Sequence, residues 1–487
     1  MDKKLKRNIL KGTAATSIGT VSGMFFQFLT IMIMTRYVSK DDLGIYFLII
    51  VIVNMFNIFG GLGLELTMVK SIASDNDQES RDVLIPVLLL RMLGCILFGA
   101  VFIFTGRYIL HFFDDRIYQY IWYIAAIFIL ANFRDLFYKL MQGLNLFKQY
   151  SIVNVASSVF RAAIIFIFIL LTKLNIKYLL IIEILATAQP LLHQILVIPF
   201  GKYIKVRPTV GTFRRIIKFS TPLYANNLVV FFNGRINILV IGAYLNPASI
   251  ANFSVANKLP TAFAKVFSSF LIVYFPNLVK LFADGDKKNA VKLVEKSMAI
   301  FSITVALAVV FSFCFRNELV TLLFSARYTE VSIAFALLVL NFFIKELASL
   351  LGNPFVPAGY PSVPATVNTF GSVAGIGLCF LFIPIYGYVG AVFASLAKNI
   401  FSTVLFYLYS VKYEINPRIN SFLKPAVLFL LLPISLLITG EFSILLNAVL
   451  FVTSLILGWF ISDEMKKGIK FFIKSIRDFN LVKGKLL

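Results

Sequence analysis

Residues 43–63 read LGIYFLIIVIVNMFNIFGGLG, 21 positions without one charged side chain. An α-helix rises 1.5 Å per residue, so about 20 apolar residues cross the hydrocarbon core of a bilayer. The rest of the chain repeats this pattern. Of 487 residues, 59% are hydrophobic and 14% are charged, whereas a soluble chain carries about 25% charged residues. No interior is large enough to hold that apolar excess, so much of it faces lipid. Fourteen spans are predicted, near 14–36, 43–68, 83–105, 118–141, 151–172, 178–199, 219–244, 248–278, 293–315, 331–353, 363–384, 388–411, 422–439 and 443–461. The expected class is an all-α integral membrane protein of about 14 transmembrane helices.

The net charge of +23 invites a nucleic-acid reading until the basic residues are placed against the spans. Of the 46 Lys and Arg, about 30 fall at the N-terminus, in the even-to-odd loops and in the C-terminal tail. The opposite loops hold about eight, among them Arg36, Lys40, Arg107, Arg116, Arg316 and Arg327. Positive charge stays inside, so both termini are expected in the cytoplasm. Most of the charge then serves topology and attraction to anionic lipid heads, with no nucleic-acid partner. The stretches 202–218 and 464–482 mix basic and apolar residues as interfacial amphipathic helices do. Cys95, Cys314 and Cys379 each sit alone in an apolar run, which suggests neither a disulfide nor a zinc site. No cleavable signal peptide is evident.

The chain looks duplicated. Residues 36–46, Arg-Tyr-Val-Ser-Lys-Asp-Asp-Leu-Gly-Ile-Tyr, keep aromatic and small positions in step with residues 243–253, Ala-Tyr-Leu-Asn-Pro-Ala-Ser-Ile-Ala-Asn-Phe, at an offset of 207 (244 − 37). The turn Ser74-Asp75-Asn76-Asp77 resembles Ala283-Asp284-Gly285-Asp286, and Arg134-Asp135-Leu136 resembles Lys345-Glu346-Leu347 at an offset of 211 (345 − 134). Spans 1–6 therefore repeat in spans 7–12, entering from the same side. The expected layout is an N-lobe over 1–200, an amphipathic linker over 201–218 and a C-lobe over 219–412. Two added spans over 413–462 and a basic tail over 463–487 complete it. Two parallel lobes suit alternating access.

Charge inside a span is costly and marks a partner or a wet cavity. The basic set is Arg91, Arg134, Arg161, Arg235, Lys258, Lys265, Lys345 and Lys398; the acidic set is Glu65, Asp135, Glu183 and Glu346. Even with every acid paired, four cations remain to attract an anion, and arginine cannot shed its charge. Glu65, near a span end, is expected to snorkel. Neighbouring helical side chains point about 100° apart, so Arg134 is expected not to pair with Asp135, which instead reaches Lys139 at i+4. Asp135, Glu346 and Glu65 are candidate proton or sodium sites. The only histidines are His111 and His193, no phosphate-binding GxxxxGK[ST] loop occurs, and no large loop is present to carry a catalytic apparatus. A transporter is expected rather than an enzyme, without a cofactor.

These features resemble the polysaccharide transporter (Wzx-type) flippases of the multidrug, oligosaccharidyl-lipid and polysaccharide exporter superfamily. The likeness is carried by Gly12-Thr13 and Ser17, the Arg36–Tyr46 turn with its Leu43-Gly44-Ile45-Tyr46, the run Gly60-Gly61-Leu62-Gly63 with Lys70, and Pro222-Leu223 and Asn246-Pro247-Ala248 to Phe253 in the second half. The resemblance implies a MATE-like fold in a bacterial inner membrane. It also implies transfer of an undecaprenyl-diphosphate-linked oligosaccharide, such as an O-antigen unit, from the inner to the outer leaflet. The eight basic residues would hold the diphosphate, with Asn226, Asn227 and Asn233 toward the sugar. Implied partners are membrane lipids, H+ or Na+ as coupling ion, and polysaccharide polymerase and chain-length proteins. A peptidoglycan-precursor flippase and a cation-coupled multidrug exporter of the same superfamily remain alternatives, the latter disfavoured by eight basic against four acidic intramembrane residues.

Overall fold

The computed structural model describes residues 3–72, 82–202, 209–415, 417–418, 427–438 and 443–461. The tail over 464–482, the turn at 74–77 and residues 203–208 lie outside the described residues. Seventeen α-helices and no strands are found among the described residues, and 11 of the helical segments are long and apolar enough to cross a membrane. Two further helices, Lys3–Tyr37 and Lys258–Ala283, are 35 and 26 residues long. The chain is a multi-pass membrane protein. It divides into two compact units, Met1–Val255 and Ala256–Leu487.

The first unit contains α1 (Lys3–Tyr37), α2 (Lys40–Gly61), α3 (Leu64–Ile72), α4 (Leu84–His111), α5 (Ile121–Gly143), α6 (Phe147–Leu171), α7 (Ile176–Val197) and α8 (Val210–Tyr244), and most of α9 (Pro247–Ala256). The span predicted over 43–68 is broken between α2 and α3. Leu62 and Gly63 both take left-handed φ, 52° and 69°. A Cβ on Gly63 would also fall 2.6 Å from the Ser220 carbonyl, so this turn needs glycine for its backbone and for its closeness to α8. The α3–α4–α5 end of the unit is an apolar core of Leu64, Met68, Val87, Leu136, Leu140 and Met141, closed by Ile216 of α8. Residues 210–218 were expected to form an interfacial helix apart from span 7. They are instead the first turns of the continuous α8, with Ile216 buried and Arg214, Arg215 and Lys218 exposed.

The second unit holds α10 (Lys258–Ala283), α11 (Lys287–Cys314), α12 (Arg316–Leu323), α13 (Ser332–Gly352), α14 (Ser362–Tyr386), α15 (Tyr388–Lys412), α16 (Leu432–Leu437) and α17 (Ser443–Ile461). The predicted span 248–278 pauses at Asn257, between α9 and α10. Pro260 explains the pause, since it has no N–H to give to the carbonyl four residues back. Cys95, Cys314 and Cys379 are buried and free.

The repeat is written in the helix boundaries. Helices α1 and α8 are both 35 residues long, starting at 3 and 210 and ending at 37 and 244. Ser39 caps α2 by accepting from the Asp42 N–H at 3.1 Å, and Asn246 accepts from the Ser249 N–H at 3.0 Å, again 207 residues on (246 − 39). The Ser39 and Asn246 side chains therefore satisfy orphan N–H groups at the same place in each half. Further along, Asp114 and Ser325 each accept from the N–H two residues ahead and open a 3₁₀ turn that runs into α5 or α13, 211 residues apart (325 − 114). The packing partners repeat too. In the first unit α5 packs on α7, and α6 on α7; in the second, α13 packs on α15, and α14 on α15.

Candidate functional site: charges within the spans

Three of the four predicted intramembrane bases of the first unit, Arg91, Arg134 and Arg161, are paired with acids. Arg161 of α6 holds Glu183 of α7 with both arms, Nη2 to Oε1 at 2.9 Å and Nη1 to Oε2. Tyr46 of α2 donates its hydroxyl to Glu183 Oε2 at 2.7 Å and accepts from Arg161 Nη1 at 3.3 Å. Glu183 and Tyr46 are buried. Three helices are thus tied by one charge-balanced cluster, and breaking such a pair leaves a bare charge away from water.

Arg91 of α4 is the second tie. It is 1% exposed. Its Nη1 bonds Glu65 of α3 at 2.7 Å and its Nη2 donates to the Asn132 carbonyl of α5 at 2.9 Å. Asn132 in turn donates to Asn57 Oδ1 of α2 at 2.7 Å. Glu65 therefore does not snorkel into the interface as expected, because a buried guanidinium reaches it first. Gly61 gives the guanidinium room, since a Cβ there would lie 2.6 Å from Nη1.

The pair Arg134 and Asp135 corrects a second expectation. Arg134 Nε donates to Asp135 Oδ1 at 2.8 Å. The two Cβ bonds diverge around the helix, but the long guanidinium arm folds back across the gap. Lys139 bonds Gln142 Oε1 at 3.1 Å instead of Asp135. In the second unit, Lys345 Nζ likewise lies 3.5 Å from Glu346 Oε1. The Lys345 side chain is more than half exposed while that of Glu346 is buried. Lys398 of α15 is half-buried, its aliphatic stem lying along Gly375 of α14.

The remaining sequence-predicted cations are on α8 and α10. Lys258 is half-buried and Lys265 exposed, seven residues apart on α10. Arg235 is exposed on α8 and has no ion-pair partner among the described residues. It stands nine residues from the helix end at Tyr244, or about 13 Å along the axis, well inside a span. Among the described residues, no group of three or more His, Cys, Asp or Glu is placed to hold a metal ion.

Two residues escaped the sequence reading. Tyr46 belongs to the quoted turn, but nothing in the turn points to Glu183. Arg316, assigned to an outer loop, is 9% exposed and donates to the carbonyls of Phe313 at 2.8 Å and Ser435 at 3.1 Å. Carbonyl partners leave no trace in side-chain patterns.

Residues 9–282 match the family described as polysaccharide biosynthesis protein, more than half of the chain. The chain belongs to that family. No curated protein matches its sequence. Among solved structures, the lipid II flippase MurJ in an inward closed conformation has a TM-score of 0.71 at 17% identity, covering 94% of this chain and 99% of that one. A Vibrio cholerae MATE transporter, VcmN in the bent form, has a TM-score of 0.54 at 13% identity, covering 87% and 98%. The eukaryotic MATE transporter AtDTX14 has a TM-score of 0.55 at 15% identity, covering 83% and 96%. This member of the polysaccharide biosynthesis family thus has the fold of flippases and MATE transporters.

Proposed function

We propose that the protein moves an undecaprenyl-diphosphate-linked oligosaccharide from the inner to the outer leaflet of a bacterial inner membrane by alternating access, with both termini cytoplasmic. The supporting observation is Arg235, an exposed guanidinium inside a span with no protein anion paired to it among the described residues. Arginine stays charged at any accessible pH, so within hydrocarbon it requires water or a passing anion. A diphosphate is an anion whose oxygens match the guanidinium fork. Lys258, Lys265, Lys345 and Lys398 are further cations in the helices of the second unit. Arg91 and Arg161 act instead as braces, and Arg134 is part-satisfied by Asp135. Asp135 and Glu346 are the candidates for coupling to H+ or Na+.

The test is translocation in proteoliposomes holding the purified chain. A fluorescent lipid-linked oligosaccharide should cross faster than in empty liposomes, and a cationic dye should not. Translocation of lipid II alone would move the assignment to a peptidoglycan precursor. Transport of the dye alone would overturn the anionic reading.

A further inference from the structure

Two neighbouring helical paths of the first unit are weakened at one level. Between α2 and α3 the chain turns through Leu62 and Gly63, both with left-handed φ, a backbone that leucine takes only at a cost. In α8, Pro222 has no N–H for the Lys218 carbonyl four residues back. The hydroxyls of Ser220 and Thr221 both donate to the Ile217 carbonyl, at 3.3 and 2.8 Å, and such back-bonding bends helices. The two weak points touch. A Cβ on Gly63 would fall 2.6 Å from the Ser220 carbonyl oxygen and 2.7 Å from the Tyr224 nitrogen, on either side of Pro222.

The segments beyond the weak points are fastened in pairs. On one side, Ile216 of α8 is buried in a core with Leu64 and Met68 of α3, and the Lys70 ammonium of α3 stands 4.1 Å from the centre of the Phe219 ring. On the other side, Gly242 of α8 lies against Leu48 of α2, whose methyls an added Cβ would meet at 3.2 and 3.3 Å. Breaks in contact let both paths bend together, where a break in one alone would drag it past its neighbour. Arg235 stands 13 residues beyond Pro222 (235 − 222). A bend of about 20° at the proline swings a residue about 20 Å further along the helix through about 7 Å.

We propose that Leu62-Gly63 and Pro222 form one paired hinge, about which α2 and residues 223–244 turn as a body against α3 and residues 210–221, and that this turn carries Arg235 between taking up and releasing the anionic head group. The proposal rests on the flippase reading and adds the joint by which its cation moves.

The experiment uses the full chain in nanodiscs, with Cys95, Cys314 and Cys379 replaced by alanine and spin labels on pairs of introduced cysteines at exposed positions. Distances between labels at Leu66→Cys of α3 and Val230→Cys of α8 should fall into two populations about 4 Å apart, the swing of a bend of about 20° over eight residues. Added polyprenyl diphosphate should shift their ratio. The pairs Leu66→Cys with Val210→Cys, and Asp41→Cys with Val230→Cys, each lie within one body and should keep a single distance. Pro222→Ala restores the missing N–H at an exposed position. It should leave one Leu66–Val230 population and slow translocation in the liposome assay at least about tenfold, because proline is what disfavours the unbent helix. Thr221→Ala removes one bond to the Ile217 carbonyl, should act the same way more weakly, and covers the case in which Pro222→Ala fails to fold. A single Leu66–Val230 distance in wild type with and without polyprenyl diphosphate overturns the hinge, as do two populations with wild-type translocation in folded Pro222→Ala. The two readings separate in the liposome assay. Translocation by a chain with one distance discards the hinge alone, and two populations without any translocation of the lipid-linked oligosaccharide discard the flippase reading.

Discussion

The same helical position is used in opposite ways in the two halves. Arg134-Asp135 and Lys345-Glu346 stand 211 residues apart in the repeat (345 − 134). In the first half the base is the more buried member, 22% against 43% exposed, and the contact is a tight 2.8 Å. In the second half the acid is buried at 7%, the base is 58% exposed, and the separation is 3.5 Å. The wider contrast follows the same line. The first unit locks Arg91 and Arg161 to carboxylates through short bonds to several helices. The second unit sets an exposed lysine against its buried Glu346 at a longer separation. Arginine's planar fork can bond several oxygens at once, as those of Arg91 and Arg161 do, while lysine offers a point charge on a flexible stem. The repeat thus presents one position in two ways, a tight pair in the first copy and a looser one in the second.

The contrast predicts its largest effect at the braces. Glu183→Ala leaves the half-buried Arg161 beside Tyr46 without a counter-charge and should lower unfolding stability by about 3 kcal/mol. Thermal unfolding in detergent would measure it, and Arg161→Met in the same chain should recover much of the loss. A Glu183→Ala protein as stable as wild type would break the comparison. Gly63→Ala comes next. It forces a left-handed backbone and a contact with the Ser220 carbonyl, and should cost about 1–3 kcal/mol.

Lys345→Ala should barely alter unfolding, within about 0.5 kcal/mol for an exposed side chain. It should instead weaken capture of the lipid diphosphate, and added salt should narrow the difference from wild type. The smallest effect is at Asp286. Its carboxylate accepts from Asn289 Nδ2 at 2.7 Å and the Asn289 N–H at 3.1 Å, capping α11, and these bonds hold its pKa below the ordinary value. Its stabilisation is therefore complete above the unfolded carboxyl pKa of about 3.9 and fades as pH falls through the lower folded value. Asp286→Ala should show a slight loss of melting temperature at neutral pH that shrinks on acidification.

The spans were legible because hydrocarbon demands runs of about 20 apolar residues whatever the tertiary context. The repeat was legible at the Arg36–Tyr46 turn, where caps and close packing restrict residue choice. A Cβ on Gly44 would run into the Pro247 carbonyl, the matching turn of the second copy. The break at Leu62-Gly63 was hidden because apolar residues continue through it. The ionic partners were less legible. Arg91 and Glu65 lie 26 residues apart on separate helices, and Arg316 bonds the carbonyls of Phe313 and Ser435. The adjacent pairs were misread because face geometry locates Cβ atoms and not the end of a long arm.

In the proposed function Arg235 of α8, without an ion-pair partner among the described residues, receives the anionic head group. The most direct test is the liposome translocation rate of the lipid-linked oligosaccharide for wild type, Arg235→Lys and Arg235→Ala at equal incorporation. Arg235→Ala should slow translocation at least about tenfold, the worth of one charge-assisted phosphate contact, with unchanged unfolding and partial rescue by Arg235→Lys. Wild-type translocation by a folded Arg235→Ala protein would contradict it.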